Sequence, residues 1–364
     1  MLSSELKNRG HGVVLFLKEP PKDAREEDTF IYYARRAKIE IDSSLSWDRK
    51  TKPNNFFGIP GIISDVKKMR ALIDSSHVDI INVNSDHDHI VCAIARMRSK
   101  RRPVLIRTDH KRFSFTLTVG AKLLLKKFTD GIITFSRMGE EVIAGRFGFP
   151  KGRICVTHPA LELDRWLKDT APHPMRPEFG IESGSLVIGM VARFQKYRKT
   201  DVVIRAFAEV LKKHPHARLL LLGRSSQMEE SVHKPIRELG ISKFVITPGH
   251  VRRRYRDALR AMDIFVFMVP GSDGTARALR EAMALGIPVV AARVGMVPEI
   301  VGNGKAGMLV SPTEDEVRDA LLLLIGDEKK RKEMGERARK WAAERFDIKR
   351  QAEAVERFYR GLVS

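Results

Sequence analysis

The chain has 364 residues, 43% hydrophobic and 30% charged, which is typical of a globular protein long enough to form two domains. It contains no run of eighteen apolar residues, and its two cysteines are too few for a disulfide framework and lack the spacing of metal ligands. The formal net charge of +21 favours an anionic partner: a phosphorylated substrate, an anionic membrane surface or nucleic acid.

Apolar segments of strand length alternate with amphipathic helices along the chain, a pattern that predicts parallel α/β sheets. The first series of predicted strands covers residues 12–17, 38–41, 78–83, 104–108, 131–135 and 153–157. The second series covers residues 186–191, 217–222, 244–247, 263–268, 288–292 and 307–310. Between them, the proline- and charge-rich residues 159–180 predict a linker, and residues 329–345 and 348–362 predict two final amphipathic helices.

Basic residues are concentrated at residues 98–102, 111–112 and 122–127. Residues 113–128 mix apolar side chains with lysines, which is typical of a helix at a membrane surface and also of a core-facing helix with a solvated lysine face. Basic and aromatic residues do not interleave and no zinc pattern occurs, so a membrane surface is favoured over nucleic acid. The opening residues lack the pattern of a signal peptide, and we expect a cytoplasmic protein that can bind the inner face of the membrane peripherally.

Residues 263–312 are the most informative part of the chain, because they read as strand, polar loop, helix, strand, loop and strand. Asp273 and Glu281 stand eight positions apart across the junction between loop and helix. Three small residues follow Asp273 and allow backbone N–H groups to approach an anion at the helix N-terminus: Gly274, Thr275 and Ala276. This arrangement can hold a sugar nucleotide, with amides facing the diphosphate and carboxylates facing hydroxyls. The alternative interpretation is purely structural, because an ordinary βα unit of an α/β domain has the same pattern.

The same block resembles the retaining, nucleotide-sugar-dependent glycosyltransferases of family four, which have the GT-B fold. The residues that match in order and spacing are Glu281-Ala282-Met283-Ala284, Gly286, Pro288-Val289-Val290, Pro298-Glu299-Ile300-Val301 and Gly307-Met308-Leu309-Val310. Asp273 stands in place of the first glutamate of the family motif, and Gly274-Thr275-Ala276 in place of its Gly-Phe-Gly. The resemblance implies an α/β protein of GT-B type, in which two Rossmann-like domains face each other across a cleft.

The resemblance also implies a division of the chain into domains. Residues 1–165 would form the N-terminal, acceptor-side domain, residues 166–345 the C-terminal, nucleotide-sugar-binding domain, and residues 346–364 a helix that crosses back to the first. Arg9-Gly10-His11 matches the tripeptide that ends the first helix of the family. The family's opening strand and glycine loop have no counterpart before it, and we expect either a truncated start or a weakly active relative.

A basic loop after the first strand of the second series resembles the Gly-Arg-Leu…Lys-Gly segment of the family. Carried over by position, Arg193 and Lys199 would clamp the donor diphosphate. The loop is one residue longer than usual in this alignment, so Arg198 is an alternative to Lys199. Negative charge builds on the phosphate oxygens when the glycosidic bond breaks, and fixed cations would stabilise the transition state more than the ground state.

The resemblance assigns roles to the remaining candidates. Asp273 and the amides that follow it would contact the sugar and the phosphate. Glu281 would accept hydrogen bonds from the ribose, and His110 would contact the transferred sugar. Gly223 ends one strand at the carboxyl edge of the second sheet, and the base would lie near the end of the next. The predicted catalytic residues are His110, Arg193, Lys199 and Asp273. The predicted donor-binding residues are Gly223, His250, Val251, Gly274, Thr275, Ala276 and Glu281.

Asp86-His87-Asp88 looks like the metal-binding signature of the other glycosyltransferase fold. Family-four enzymes usually need no metal, so we predict an acceptor loop here, no metal site, and no cofactor besides the donor. The predicted function is retaining transfer of a hexose-type sugar from a nucleoside-diphosphate sugar to a glycan or lipid-linked acceptor, as in cell-envelope biosynthesis. The alternatives are a GT-B nucleotide-sugar 2-epimerase and a non-catalytic basic relative that binds membranes or polyanions.

Overall fold

The computed structural model describes residues 1–19, 30–47, 59–110, 118–168, 175–269 and 276–364. The chain divides into two compact units, which are described separately. The first unit comprises residues 1–159 and 348–364, and the second unit comprises residues 160–347. All twelve predicted strands are confirmed among the described residues, and each observed strand begins and ends within two residues of its predicted bounds.

The described residues of the first unit form two parallel sheets. The smaller sheet pairs β1 (Val14–Phe16) with β2 (Glu40–Asp42). The larger sheet has the order β3-β4-β5-β6 and consists of β3 (Ile80–Val83), β4 (Val104–Asp109), β5 (Gly131–Thr134) and β6 (Ile154–Val156). No strand of the described residues joins the two sheets, so β1 and β3 each have a hydrogen-bonded neighbour on one side only.

The helices of the first unit alternate with these strands. They are α1 (Leu2–Asn8), α2 (Phe30–Arg36), α3 (Ile59–Ser75), α4 (Asp86–Arg98), α5 (Val119–Phe128) and α6 (Arg137–Phe147). Three of them begin at a side chain that accepts a hydrogen bond from a first-turn N–H, and these caps are Ser85, Thr118 and Ser136. The caps fix where each loop ends at the carboxyl edge of the larger sheet and where the next helix begins.

The described residues of the second unit form one parallel sheet of six strands, in the order β12-β11-β10-β7-β8-β9. The strands are β7 (Leu186–Ala192), β8 (Ala217–Gly223), β9 (Val245–Gly249), β10 (Ile264–Phe267), β11 (Val289–Ala292) and β12 (Met308–Val310). The central strands β7 and β10 are almost wholly apolar and buried, as expected for a parallel sheet covered on both faces.

Helices cover the sheet of the second unit and return the chain to the first unit. They are α7 (Leu163–Trp166), α8 (Thr200–Lys213), α9 (Lys234–Glu238), α10 (Tyr255–Leu259), α11 (Arg277–Ala284), α12 (Val297–Ile300), α13 (Glu314–Gly326) and α14 (Glu328–Arg345). The last helix, α15 (Ile348–Val363), belongs to the first unit, where its Val355 packs in a cluster with Ile106 and Ile133. The two predicted final helices are thus confirmed as α14 and α15.

None of the helices in the described ranges combines the length and the apolar character needed to cross a bilayer.

Candidate functional site

The sheet of the second unit reverses its strand order between β7 and β10. From β7 the chain adds β8 and β9 on one side, and it then crosses over to add β10, β11 and β12 on the other. Because β7 and β10 are hydrogen-bonded neighbours, the loops that leave their carboxyl ends begin about 5 Å apart. Open α/β sheets bind ligands at this position. The topology therefore places the loop of residues 193–199 beside the loop that begins at residue 268.

The loop after β7 is anchored at one buried aromatic ring and is otherwise basic. Phe194 is fully buried, whereas Arg193 and Lys199 are exposed. A short 3₁₀ turn, Lys196–Arg198, follows, and α8 begins at Thr200. Arg198 Nη1 donates a hydrogen bond of 3.0 Å to the carbonyl oxygen of Val269, which lies just beyond β10. This contact ties the basic loop directly to the start of the loop that leads to Asp273.

The backbone at Lys199 bears on which cation corresponds to the family lysine. Lys199 has a left-handed conformation, with φ of 59° and ψ of 33°. This conformation is the one that glycine adopts without steric cost, and the family segment has glycine directly after its lysine. The observed backbone therefore favours a loop of the usual length, in which Lys199 takes the glycine position and Arg198 the lysine position.

Gly223, at the end of β8, has a structural reason to be glycine. Its φ is 147°, and a Cβ atom at this position would lie 1.9 Å from the carbonyl oxygen of Ala192. The close approach of β8 to the end of β7 thus requires glycine regardless of any ligand. Gly223 nevertheless lies at the carboxyl edge of the strand next to β7, where it was predicted.

His250 and Val251 follow β9, the strand at the edge of the sheet. His250 is exposed and Val251 is half-buried. β9 is two strands away from β7, so these residues begin about 10 Å from the switch point along the carboxyl edge. That separation suits a base whose diphosphate lies at the switch point, and the base-binding role stays a prediction.

Of the segment between β10 and α11, the structure describes Met268, Val269 and Ala276. Asp273, Gly274 and Thr275 lie outside the described residues. Ala276 is buried and precedes α11 with a left-handed backbone, φ 45° and ψ 51°. Because the family has glycine at this position, the alanine accepts a backbone conformation that is unfavourable for it.

Replacing Ala276 with glycine is expected to stabilise the second unit. The left-handed conformation costs alanine about 1–2 kcal/mol in the folded protein. Glycine avoids this cost, but its greater freedom in the unfolded chain lowers stability by about 0.4–1 kcal/mol. The expected result is a rise of up to about 1.5 kcal/mol in the free energy of unfolding, measured by urea denaturation. Ala278→Gly, inside the same helix, is the control and should destabilise the protein by about 1 kcal/mol.

Glu281 lies on α11, one turn after its start, and is 1% exposed. Its Oε1 accepts a hydrogen bond of 2.7 Å from Arg277 Nε, and the Tyr255 hydroxyl of α10 also donates to the carboxylate. Burial raises the pKa of the Glu281 carboxyl, and Arg277 opposes that shift. Burial and the nearby Glu281 also raise the pKa of Tyr255. An ionised carboxylate has about four acceptor positions, so these two hydrogen bonds leave about two of them open, and the ribose-binding role of Glu281 stays a prediction.

His110 lies in the first unit, directly after β4. Its Nε2 donates a hydrogen bond of 2.8 Å to Oδ1 of Asn84, which follows β3, and its ring lies 5.2 Å from that of Phe135, which follows β5. The side chain is exposed and held from both neighbouring strand ends at the carboxyl edge of the larger sheet. An exposed imidazole at a carboxyl edge can meet a ligand, and the contact of His110 with the transferred sugar stays a prediction.

The acidic residues near His87 are engaged in the structure of α4. Asp86 forms an ion pair of 2.9 Å with the buried Arg107, and the side chain of Asp88 completes a capping box with Ser85. His89 is fully buried against Thr129, and burial lowers its pKa to about 3, so its imidazole is neutral. Within the described ranges, no group of three or more His, Cys, Asp or Glu side chains could hold a metal ion.

The structure brings together part of the predicted site. In the second unit, Arg198 of the basic loop contacts Val269 just beyond β10, Ala276 directly precedes α11, and α11 carries Glu281. His110 is on the first unit. Sequence reasoning missed Arg277 and Tyr255. Arg277 could have been found, because an arginine four residues before a glutamate on one helix is a typical ion pair, whereas nothing local connects Tyr255 with Glu281.

Two family models match the chain. The model described as "Glycosyl transferases group 1" matches residues 173–341, and the model described as "Glycosyltransferase Family 4" matches residues 1–165. Among curated proteins, the chain is similar to a D-inositol 3-phosphate glycosyltransferase of Corynebacterium jeikeium, with 34% identity over 220 residues, which are 57% of this chain and 52% of that protein. The chain spans about half the length of the D-inositol 3-phosphate glycosyltransferases that it matches.

Solved structures that resemble most or all of the chain include the following two. A glycosyltransferase from Rickettsia africae ESF-5 gives a TM-score of 0.82 at 15% identity, over 100% of this chain and 93% of that one. The Anabaena protein Alr3699/HepE, in complex with UDP and glucose, gives a TM-score of 0.75 at 22% identity, over 95% of this chain and 100% of that one. At these identities the likeness concerns the fold, and it confirms the prediction of two Rossmann-like α/β bodies.

Proposed function

We propose a sugar-transfer function on the basis of the family: the chain belongs to the glycosyltransferases that the group 1 and family 4 models describe, and it has the GT-B fold. In this proposal it transfers a sugar from a nucleoside-diphosphate sugar to a glycan or lipid-linked acceptor. We further propose that the anomeric configuration is retained, that the sugar is of hexose type, and that the donor is the one small molecule required besides the acceptor. The hydrogen bond from Arg198 to Val269 at the switch point carries this proposal.

That hydrogen bond supports the proposal because it sets a cationic loop beside the loop of the predicted sugar-binding carboxylate. A breaking bond between sugar and diphosphate leaves negative charge on the phosphate oxygens. Arginine side chains already held in place stabilise that charge without reorganising, which lowers the barrier to transfer. In this proposal Arg193 and Arg198 contact the diphosphate, Asp273 contacts the sugar, and Glu281 accepts hydrogen bonds from the ribose.

The test follows both products of the reaction. The protein is incubated with UDP- and GDP-linked hexoses, and the release of nucleoside diphosphate is measured with and without a panel of glycan and lipid-linked acceptors. The proposal expects release that depends on an acceptor, and a product whose anomeric proton coupling matches that of the donor. An epimerised sugar nucleotide formed without acceptor would instead identify a 2-epimerase. Salt-sensitive binding without turnover would identify a non-catalytic relative.

A membrane surface is the partner we propose for α5. Its inner side buries Leu125, while Val119 is 86% exposed and Leu123 is 51% exposed. Both lie on the outer side of the helix together with exposed lysines: Lys122, Lys126 and Lys127. Apolar side chains among lysines on one exposed face suit the boundary of an anionic bilayer, where a lipid-linked acceptor would lie.

Replacing Val119 and Leu123 together with serine is expected to weaken binding to vesicles of anionic phospholipid by about tenfold, because burial of two apolar side chains is lost. The measurement is co-sedimentation with such vesicles, repeated with vesicles of neutral phospholipid. Leu323→Ser is the control, since Leu323 is similarly exposed but lies on α13 of the second unit. Equal vesicle binding by the unmodified protein, the double variant and Leu323→Ser would show that α5 does not contact the membrane.

A further inference from the structure

The first residue of α11 forms an unusual ion pair with a residue of the predicted donor site. Arg277 and Glu281 are one helical turn apart, and Arg277 Nε donates to Glu281 Oε1 at 2.7 Å. The two partners differ sharply in exposure, since the Arg277 side chain is 69% exposed and that of Glu281 is 1% exposed. A buried carboxylate thus holds one end of a guanidinium whose other end faces outward.

The outward end of Arg277 offers donors with no hydrogen-bond partner in the described ranges, although the Glu162 carboxylate lies close enough to interact with the guanidinium by charge. Within them the side chain hydrogen-bonds through Nε alone. The two terminal nitrogens of a guanidinium form a planar fork that matches two oxygens of a phosphate or carboxylate group. Because Nε is fixed by Glu281, the direction of this fork is set in advance of any ligand.

We propose that Arg277 is a donor-binding residue that contacts the diphosphate of the nucleotide sugar and at the same time orients Glu281 toward the ribose. The inference rests on the proposed function. Arg277 stands directly after the small-residue loop, at the helix N-terminus, where backbone amides also favour an anion. It lies one turn, about 5.4 Å along the axis, before Glu281. One helix face therefore presents a cation for phosphate and a carboxylate for the adjoining ribose.

An ordinary surface ion pair does not account for this arrangement. Exposed pairs contribute little because both partners remain hydrated. Here the carboxylate is desolvated, and it has a second donor in Tyr255, which itself packs edge-on against Trp166 at 6.2 Å. Glu281 is therefore held in place by two donors, whereas the exposed Arg277 has terminal N–H groups that form no hydrogen bond in the described ranges.

The test compares ligands that differ in phosphate alone. Affinities of the unmodified protein and of Arg277→Leu are measured by calorimetry for UDP, UMP and uridine, and for GDP, GMP and guanosine. Loss of a hydrogen bond to a charged group predicts about 10–100-fold weaker binding of the preferred nucleoside diphosphate. The corresponding nucleoside should change by less than about threefold. Arg277→Lys keeps the charge and loses the fork, so its affinity for the nucleoside diphosphate should lie between those of the unmodified protein and Arg277→Leu.

Arg237→Leu is the matched control, because it removes an arginine from an ion pair with Glu229 in the same unit in which both partners are exposed. It should bind every ligand like the unmodified protein. Undiminished diphosphate binding by Arg277→Leu, or an equal loss for diphosphate and nucleoside, would overturn the inference while the proposed function stands. If the unmodified protein binds none of the six ligands, the proposed function fails with it.

The pH dependence of binding supplies a readout that a purely structural role would not move. The charged and titratable groups that face Glu281 are Arg277 and Arg280 on its own helix and Tyr255 of α10. Since Arg277 lowers the pKa of Glu281, its removal should shift the acidic limb of diphosphate binding toward higher pH. An identical profile in Arg277→Leu would contradict the proposed coupling.

Discussion

Arg193→Ala and Arg198→Ala are each expected to lower kcat for sugar transfer by about 10²–10³-fold, the usual effect of removing one preorganised donor from a site of developing negative charge. Both residues lie in the loop that follows β7, and Arg198 donates a hydrogen bond to Val269 just beyond β10. The measurement is the steady-state release of nucleoside diphosphate in the presence of acceptor. Circular dichroism and the melting temperature establish that the variants remain folded.

Two further substitutions make this prediction specific. Lys196→Ala removes an exposed cation from the same loop and should keep full activity, which controls for the general charge of the loop. Lys199→Gly decides between the two alignments of the loop. Activity close to that of the unmodified protein would assign the clamp to Arg198, and a loss as large as in Arg198→Ala would assign it to Lys199.

Glu281→Gln is expected to raise KM for the donor by about 10–100-fold, because the substitution removes charge-assisted hydrogen bonds to the ribose hydroxyls. The amide has nearly the same shape, and its oxygen can still accept from Arg277 or Tyr255. The effect should therefore appear in KM more than in unfolding, and it is measured from initial rates over a range of donor concentrations. Gln351→Ala on α15 of the first unit is the control for loss of a buried polar side chain. An unchanged KM would remove Glu281 from the donor site.

The same variant tests the pKa of Glu281 through stability. Burial raises this pKa above its ordinary value of 4.5, so the folded protein holds the proton more tightly than the unfolded chain. The contribution to stability is complete below pH 4.5 and is lost as the pH rises through the raised pKa. Relative to the unmodified protein, Glu281→Gln should therefore gain stability as the pH rises above 4.5 and through the raised pKa, measured by urea denaturation at each pH. A difference that does not vary with pH would contradict a raised pKa.

The strands were predictable because each is a short apolar run between polar turns. β7 and β10 illustrate this, since all of β10 and the middle of β7 are buried and the sequence of each is almost wholly apolar. The composition alone does not say that β10 pairs with β7. The structure supplies that neighbour relation, which places the starts of the two following segments side by side.

Contacts that depend on backbone torsions and rotamers were beyond the sequence. The left-handed backbone of Lys199, which favours Arg198 as the clamping cation, has no signature in a lysine. Residues 159–180 were predicted to be a linker from their prolines and charges, yet they include α7, whose Trp166 is 3% exposed and packs near Tyr255. Burial of that tryptophan depends on α10, which follows almost ninety residues later.

All of the proposed residue roles depend on binding of the donor diphosphate at the switch point between β7 and β10. The most direct test is a crystal structure of the protein with whichever nucleoside diphosphate binds it best. We expect phosphate oxygens within about 3 Å of the guanidinium groups of Arg193 and Arg198, with the nucleoside extending toward Glu281. A nucleotide bound at the β12 edge, or on the first unit alone, with neither arginine in contact, would contradict it.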